Sequence, residues 1–298
     1  MKKESLAQGA MIVISAVWGS TFIMVKEALN GVHPLTLTSF RFLIASFLLL
    51  PWVFKKRSSF RNALSAGCYL GIFLWILYLT QTCGLYFTSA ANSGFLTGLF
   101  IVFIPIFLFF VSGVRIGKFQ IFTIGLATFG VWLLTGGVEK FNIGDGLTII
   151  CASAYAAHVL LIDRYAKSSL EPVHLAFIQF FLVGFLSLLA SLPIGERAFL
   201  IDPSVWDSII FLTLFPTLLA FFIQLWAQKF VSPVKAGLIY TLEPAFAALF
   251  AWTVGGEEIT WRGVLGGGLA FLAIFLSEFY HQRHSEAAGR GISSEASW

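Results

Sequence analysis

Charged residues are scarce in this chain. Asp, Glu, Lys and Arg together make up 11% of its 298 residues, whereas soluble domains carry about 25%. So few charges cannot cover the surface of a soluble fold, and 58% of the residues are hydrophobic. The composition predicts an all-α polytopic membrane protein.

Cysteines and enzyme motifs are also scarce. Cys68, Cys83 and Cys151 lie in apolar segments without CxxC spacing, which indicates small buried residues and no metal or redox site. The chain contains no GxSxG or HExxH motif and no paired intramembrane aspartates. The net charge of +4 is dispersed between apolar segments. We therefore expect no enzyme, no cofactor, no metal and no nucleic-acid partner.

Ten apolar segments are present. A helix needs about 20 residues to cross about 30 Å of hydrocarbon. The first segment is too long for a signal peptide and has no small-residue cleavage site after it. The predicted spans are 7–29, 36–54, 63–84, 90–112, 118–136, 146–162, 174–193, 206–227, 233–254 and 262–280.

The sequence repeats internally. Residues 87–113 align with 230–256 at an offset of 143, and residues 33–50 resemble 171–189. Each half would hold five spans, so the second half enters the membrane from the opposite side. The sequence therefore predicts ten transmembrane helices as two inverted five-helix repeats, 1–137 and 138–282, followed by a disordered cytoplasmic tail, 283–298. Inverted repeats are typical of alternating-access transporters.

Basic residues are distributed unevenly between alternate loops. Fourteen Lys and Arg fall on one side, which includes both termini, and four fall on the other. Because positive charge is retained in the cytoplasm, both termini are expected to be cytoplasmic, in a bacterial-type inner membrane.

Glu243 is the first candidate for a functional residue. It lies 11 residues from the outer end of span 9, about 16 Å deep. A charged acid that faces lipid at that depth is costly, so Glu243 should face a cavity or a partner, or hold a proton. Pro244 follows and cannot donate a backbone hydrogen bond, so the helix is expected to break there; Pro105 in span 4 is the second predicted break. The alternative is that Glu243 closes the gap with a structural hydrogen bond.

Other polar and aromatic residues on the predicted helices would form a mostly neutral pocket that suits amphipathic organic solutes. Each of them could instead make only an inter-helix hydrogen bond. His158 could relay protons or be a satisfied buried histidine, and Arg41 could make a hydrogen bond, reach the interface or pair with Glu27. The predicted substrate-binding residues are Trp18, Ser20, Tyr78, Gln81, Asn92, Thr97, Tyr155, His158, Gln224, Tyr240 and Glu243.

Several short sequence motifs resemble those of one protein family. They are WGSTF in span 1, RFLIA at 41–45, TSAANSGFLTGLFIVFIP at 88–105, SPVKAGLIYTLEPAFAALFAW at 232–252 and GGEEITWRGVLGGGLAFLAIFLSE at 255–278. With the ten inverted spans, the chain is similar to the ten-helix EamA-type branch of the drug/metabolite transporter superfamily. The resemblance implies movement of small metabolites, commonly export of amino acids or related compounds, through a central cavity.

The leading hypothesis is a secondary transporter that exports small organic metabolites by alternating access. Proton coupling would depend on Glu243 or His158. The spans carry no run of basic residues, which disfavours a sugar-phosphate carrier. A drug-type carrier of the same superfamily and a non-transporting membrane scaffold are competing hypotheses. The partners expected are a small-molecule substrate and the lipid bilayer.

Overall fold

The structure is a computed structural model that describes residues 2–56, 60–88, 90–113, 115–136, 141–253, 258 and 260–295. These residues form helices joined by short turns. Their one strand-type bridge joins Val32 to Ile201. The predicted all-α class is therefore confirmed for the described part of the chain.

The helices follow one another with short connections, so nothing large is inserted between them. A π-helical segment, Leu214–Leu219, separates two of them. In chain order they are α1 (Lys2–Ala28), α2 (Pro34–Lys55), α3 (Phe60–Phe87), α4 (Ala90–Gly98), α5 (Phe100–Ser112), α6 (Lys118–Thr135), α7 (Ile143–Ala166), α8 (Pro172–Ser191), α9 (Trp206–Thr213), α10 (Ala220–Ala227), α11 (Pro233–Tyr240), α12 (Glu243–Thr253) and α13 (Trp261–Glu295).

Eight helical segments in the described residues are long and apolar enough to cross a membrane. They correspond to the first eight predicted spans, so the protein is an integral, multi-pass membrane protein. The predicted ninth span is divided between α11 and α12, and the apolar part of α13, Trp261–Ser277, is shorter than the others.

Helix starts follow from local sequence. Proline occupies the first position of α2, α8 and α11, where its missing amide hydrogen has no intrahelical partner in any case. The Asn142 side chain accepts hydrogen bonds from the amides of Gly144 and Asp145 and so caps α7. These residues set where a helix begins without adding charge to the membrane.

Three predicted spans are interrupted. Span 4 breaks at Leu99, between α4 and α5; span 8 contains the π-helical segment; and span 9 breaks at residues 241–242, directly before Pro244. The predicted break at Pro105 is wrong, because α5 continues through it. Gly94 and Gly98 lower helix propensity just before Leu99, which favours the earlier position.

Glycines bring several helices into close contact. A β-carbon on Gly130 of α6 would lie 2.7 Å from the carbonyl oxygen of Gly266 on α13, and one on Gly67 of α3 would lie 2.6 Å from Ile178 of α8. In lipid such small residues allow backbones to approach closely. At Gly94, by contrast, no heavy atom lies within 4 Å of an added β-carbon.

The last helix, α13, is described from Trp261 to Glu295, and the predicted tail, 283–298, begins within that range. The disorder expected of this tail stays a prediction. Residues 296–298 lie outside the described residues.

Substitutions in the α6–α13 contact should separate the close glycines from the others. Gly130→Ala would force its β-carbon to within 2.7 Å of a backbone oxygen and 2.8 Å of the Ala270 nitrogen, at a cost of about 1–3 kcal/mol. Gly125→Ala and Gly268→Ala, with open space at both positions, are the matched controls. The unfolding temperature in detergent should fall by several degrees for Gly130→Ala alone. Equal unfolding temperatures of all three variants would contradict this packing.

A second prediction concerns α1. A β-carbon on Gly19 would lie 2.7 Å from the carbonyl oxygen of Glu243 and 2.8 Å from the Ala247 nitrogen. Backbone atoms cannot rotate away, so Gly19→Ala should separate α1 from α12 and lower the unfolding temperature. A β-carbon on Gly9 of the same helix would have no atom within 4 Å, so Gly9→Ala should leave the unfolding temperature unchanged. A Gly19→Ala protein as stable as Gly9→Ala would refute this contact.

Candidate functional site

A small cavity lies where the interrupted helices meet. Its volume is about 30 Å³, far below the roughly 300–1,000 Å³ of ordinary ligand pockets. A metabolite therefore needs helix movement to enter. The lining residues are Trp18, Thr21, Leu77, Tyr78, Gln81, Tyr155, His158, Phe221, Gln224 and Glu243.

Most of the lining consists of residues that occupy equivalent positions in the two halves of the sequence. At the offset of 143, Tyr78 corresponds to Phe221 and Gln81 to Gln224. At an offset of 137 in the first span of each half, Trp18 corresponds to Tyr155 and Thr21 to His158. Both halves therefore contribute matching helix positions to one cavity. Glu243 corresponds to Phe100, so the acid has no counterpart.

Aromatic rings form one wall. The Trp18 ring lies 6.3 Å from Tyr155, 5.3 Å from Tyr240 and 5.8 Å from Phe221, measured between centroids. Phe100 stacks on Tyr155 at 4.3 Å. Edge and offset contacts of this kind stabilise aromatic clusters, and here they hold the rings of Trp18, Tyr155 and Phe221 beside the cavity.

The π-helical segment holds Trp18 in position. Pro216 has no amide hydrogen, which frees the carbonyl of Leu212. The Thr217 hydroxyl donates to that carbonyl at 2.8 Å, and the Trp18 indole donates to the carbonyl of Pro216 at 2.9 Å. Side chains thus satisfy backbone groups that an ordinary helix would bond internally.

Arg41 lies behind the cavity wall. It is 4% exposed, its Nε donates to the Thr217 hydroxyl at 2.6 Å, and its guanidinium donates to the Tyr78 hydroxyl at 3.2 Å. The expectations that it reaches the interface or pairs with Glu27 are wrong, whereas the hydrogen-bonding role is confirmed. Arg41 joins α2 to the π-helical segment and to α3.

Glu243 begins α12 at the break in span 9. Its side chain is 7% exposed, and it makes no hydrogen bond or ion pair with any residue that the structure describes. The Thr241 hydroxyl donates to the carbonyl of Leu238 at 2.6 Å and so closes the end of α11. A structural hydrogen bond from Glu243 across the gap, the second interpretation of this residue, is therefore absent from the described structure.

His158 is held by a neighbouring amide. Its Nε2 lies 3.1 Å from Oε1 of Gln179, and its ring packs edge-on against Phe221 at 5.8 Å. The Gln179 side-chain nitrogen makes no hydrogen bond with a described residue. One ring nitrogen of this buried histidine thus has a protein partner, and the residue also lines the cavity.

Some polar atoms at the cavity have no partner. Gln81 donates to Thr97 at 3.3 Å. In the other half, Gln224 and Tyr240 occupy the equivalent positions and come close, but neither the amide nor the hydroxyl makes a hydrogen bond of good geometry with a described residue. Buried polar atoms are normally bonded, so these groups are available to a solute or to water.

The remaining predicted site residues either do not line the cavity or have side chains outside the described part of the structure. The Ser20 hydroxyl donates to the carbonyl of Val17 in its own helix, and Thr97 and Tyr240 contact lining residues without lining the cavity. The side chain of Asn92 lies outside the described residues. Sequence reasoning missed Thr21, Leu77 and Phe221. The offsets of the repeat identify Thr21 from His158 and Phe221 from Tyr78.

Polar contacts close the two ends of the bundle. At the end that we call the N-terminal face, Lys235 pairs with Glu4 at 2.8 Å and Lys56 with Glu171 at 2.7 Å; the hydrogen bond from Lys56 lowers the pKa of Glu171. At the opposite face, Lys26 donates to the carbonyls of Leu85 at 2.6 Å and Thr88 at 3.0 Å.

The two broken spans approach each other more closely near the N-terminal face than they do at Gly94. Near the N-terminal face, a β-carbon on Gly237 of α11 would lie 2.6 Å from Ile104 and 2.8 Å from Ile101 of α5. At the equivalent position near the opposite face, Gly94 of α4 has open space. It borders a second cavity of about 360 Å³ that Pro244 and Ala247 also line.

The comparisons with known proteins agree with one another. The model of the EamA-like transporter family matches residues 6–136 and 142–279. An uncharacterized transporter of Archaeoglobus fulgidus is 32% identical over 274 residues, 92% of this chain and 86% of that protein.

More distant relatives cover similar lengths. The S-adenosylmethionine/S-adenosylhomocysteine transporter of Chlamydia muridarum is 26% identical, over 98% of this chain and 96% of its own length. The inner membrane transporter YedA of Escherichia coli is 24% identical, over 90% and 89%. A crystal structure superposes with a TM-score of 0.78 at 17% identity, covering 92% of this chain and 98% of that one, which establishes the fold alone. The chain therefore belongs to the EamA-like transporter family, and it is a membrane transporter rather than an enzyme.

Proposed function

We propose that the protein is a secondary transporter that moves small organic metabolites by alternating access between two inverted five-helix halves. The observation that carries this proposal is the cavity lined by matching positions of both halves, Trp18 with Tyr155 and Gln81 with Gln224. A site on the axis that relates two inverted halves stays central when the halves tilt against each other. The same site can then open to either side in turn.

Ten crossings fit this architecture. Together α11 and α12 cover the length of one span, interrupted in the middle, and α13 supplies the tenth. The interruptions in spans 4 and 9 fall at Leu99 and Leu242, which the offset of 143 relates to each other. Discontinuous helices in corresponding positions of two halves are typical of transporter binding sites. Residues 1–137 and 138–282 would be the two repeats.

The orientation follows from the charge distribution. The N-terminal face carries Lys56, Lys235 and most other basic residues, so we assign it to the cytoplasm of an inner membrane. Both termini would then be cytoplasmic. The structure would be closed to the cytoplasm at Gly237 and open towards the outside at Gly94.

The substrate would be a small organic compound, because the lining is aromatic and mostly neutral. A relative named as a transporter of S-adenosylmethionine and S-adenosylhomocysteine supports this class. Export is the direction that we propose. If transport is coupled to protons, Glu243 is the better candidate of the two expected residues, since His158 already bonds Gln179 while Glu243 has no partner in the described structure.

Alternating access can be tested with two disulfides in a variant whose three native cysteines are replaced. One pair, Gly237→Cys with Ile104→Cys, joins the end that is closed in the structure. The other, Gly94→Cys with Ala247→Cys, joins the equivalent positions at the open end, which must approach each other in the opposite state. Purified protein in vesicles loaded with a bacterial small-molecule extract would be assayed by mass spectrometry of released solutes.

Each disulfide should stop release, and reduction should restore it, because either one holds the transporter in a single state. The single-cysteine variants Ile104→Cys, Gly94→Cys and Ala247→Cys, oxidised in the same way, are the controls and should transport normally. Continued release by either cross-linked protein would refute the mechanism. The mechanism would also be refuted if the Gly94→Cys and Ala247→Cys pair never formed a disulfide in a protein that transports.

A further inference from the structure

We infer that the cavity binds the positively charged group of its solute, an ammonium or sulfonium, between the Glu243 carboxylate and the aromatic rings around Trp18. This inference rests on the proposed function, and it assigns the solute class and the roles of individual residues. It depends on four features of the site.

The first feature is an acid without a counter-charge. Glu243 lines the cavity, is 7% exposed and makes no ion pair or hydrogen bond with a described residue. Arg41, the buried cation behind the cavity wall, donates its hydrogen bonds to Thr217 and Tyr78 instead. A buried carboxylate without a partner is unfavourable in a membrane, and a cationic solute would supply the missing charge.

The second feature is the acceptor-rich break beside the acid. Pro244 cannot donate an amide hydrogen to the carbonyl of Tyr240, four residues earlier. The break therefore leaves the Tyr240 carbonyl without its usual intrahelical donor. Such oxygen atoms attract a cation and repel an anion.

The third feature is the arrangement of ring faces. Trp18, Tyr155 and Tyr240 lie with centroids 5.3 to 6.5 Å apart. Aromatic faces attract ammonium and related cations within about 6 Å, and clusters of rings recognise quaternary ammonium groups. The adjacent cavity holds about 30 Å³, so it would receive the charged group alone.

The fourth feature is the composition of the lining. The ten lining residues include one acid and no Lys or Arg. An anionic solute would meet Glu243 without compensation. The next residue, Pro244, borders the cavity of about 360 Å³, whose lining is largely apolar. The uncharged remainder of the solute would extend into that space.

The test uses the full chain in vesicles loaded with an aqueous extract of bacterial small molecules. Released solutes are identified by mass spectrometry for the unaltered protein, for Glu243→Gln and for Glu243→Asp. We expect the released solutes to carry an ammonium or sulfonium group. Their release should fall at least about tenfold in Glu243→Gln, equivalent to about 1.4 kcal/mol, and less in Glu243→Asp, which keeps the charge. Acetylating the amines in the extract should abolish release of those solutes that were primary amines.

A pair of substitutions at Trp18 separates the aromatic contact from the hydrogen bond to Pro216. Trp18→Phe and Trp18→Leu both lose the indole donor, but only the phenylalanine keeps a ring face. Release should therefore be lower for Trp18→Leu. All variants are first compared by size-exclusion profile and unfolding temperature, and only variants that match the unaltered protein are assayed.

The outcomes separate this inference from the proposed function. Release restricted to neutral or anionic solutes would overturn the inference but would still support the proposed transport function. Cation release that is equal in the unaltered protein and Glu243→Gln would also overturn it. Absence of any release by the unaltered protein would overturn the proposed function, and the inference with it.

Discussion

A helix that crosses lipid has to bond its own backbone groups, and every interruption needs other partners. This protein interrupts three of its spans, at Leu99, at the π-helical segment and at residues 241–242. Each interruption has a cavity-lining residue at or beside it. After the first, Phe100 stacks on Tyr155; beside the second, the Trp18 indole bonds the carbonyl of Pro216; after the third, Glu243 lines the space. Polar and aromatic residues of the site therefore lie next to broken backbone, and one of them, Trp18, bonds it directly.

The repeat determines which positions surround the cavity, and the departures from the repeat determine its chemistry. Gln81 and Gln224 are identical at equivalent positions, but their neighbours differ, so one amide bonds Thr97 and the other stays unbonded among the described residues. Arg41 and Gln179 also occupy equivalent positions. The first supports Tyr78 and the second supports His158. Each half therefore uses its second span to hold a lining residue, with a different polar group.

Sequence reasoning located the spans and most of the lining, because apolar length and repeat spacing are properties that the chain displays directly. It identified Trp18, Tyr78, Tyr155 and Glu243 for this reason. Breaks in helices were harder to predict. Proline at position 105 is accommodated within α5, whereas Pro216 converts its span into a π-helical segment. At Pro216, the Thr217 hydroxyl bonds the Leu212 carbonyl that the proline frees, and the Trp18 indole bonds the carbonyl of Pro216 itself. Only the folded structure brings Trp18 to this segment.

Arg41 illustrates the same limit. From its position in span 2, the interface and Glu27 were reasonable partners, because a charged side chain in a membrane normally reaches water or an acid. Its actual partners are the hydroxyls of Thr217, which is 176 residues away, and Tyr78. Two hydroxyl groups and the Tyr78 ring face, 4.7 Å from the guanidinium carbon, replace an acid. No local pattern in the sequence encodes that set.

In the proposed mechanism, the position of Glu243 within span 9 links binding to movement. The acid stands at the break between α11 and α12. Gly237, at the closed contact with α5, belongs to the first of these helices, and Ala247, beside the open space at Gly94, belongs to the second. An unpaired carboxylate makes this break an unfavourable part of the empty structure, and a bound cation would remove that cost. Binding would therefore change the free energy of the break that joins α11, which makes the closed contact, to α12, which borders the open space. A solute without a positive charge could fill the cavity but would leave this balance unaltered, which is why the charge of the solute, more than its shape, should decide whether the two halves exchange states.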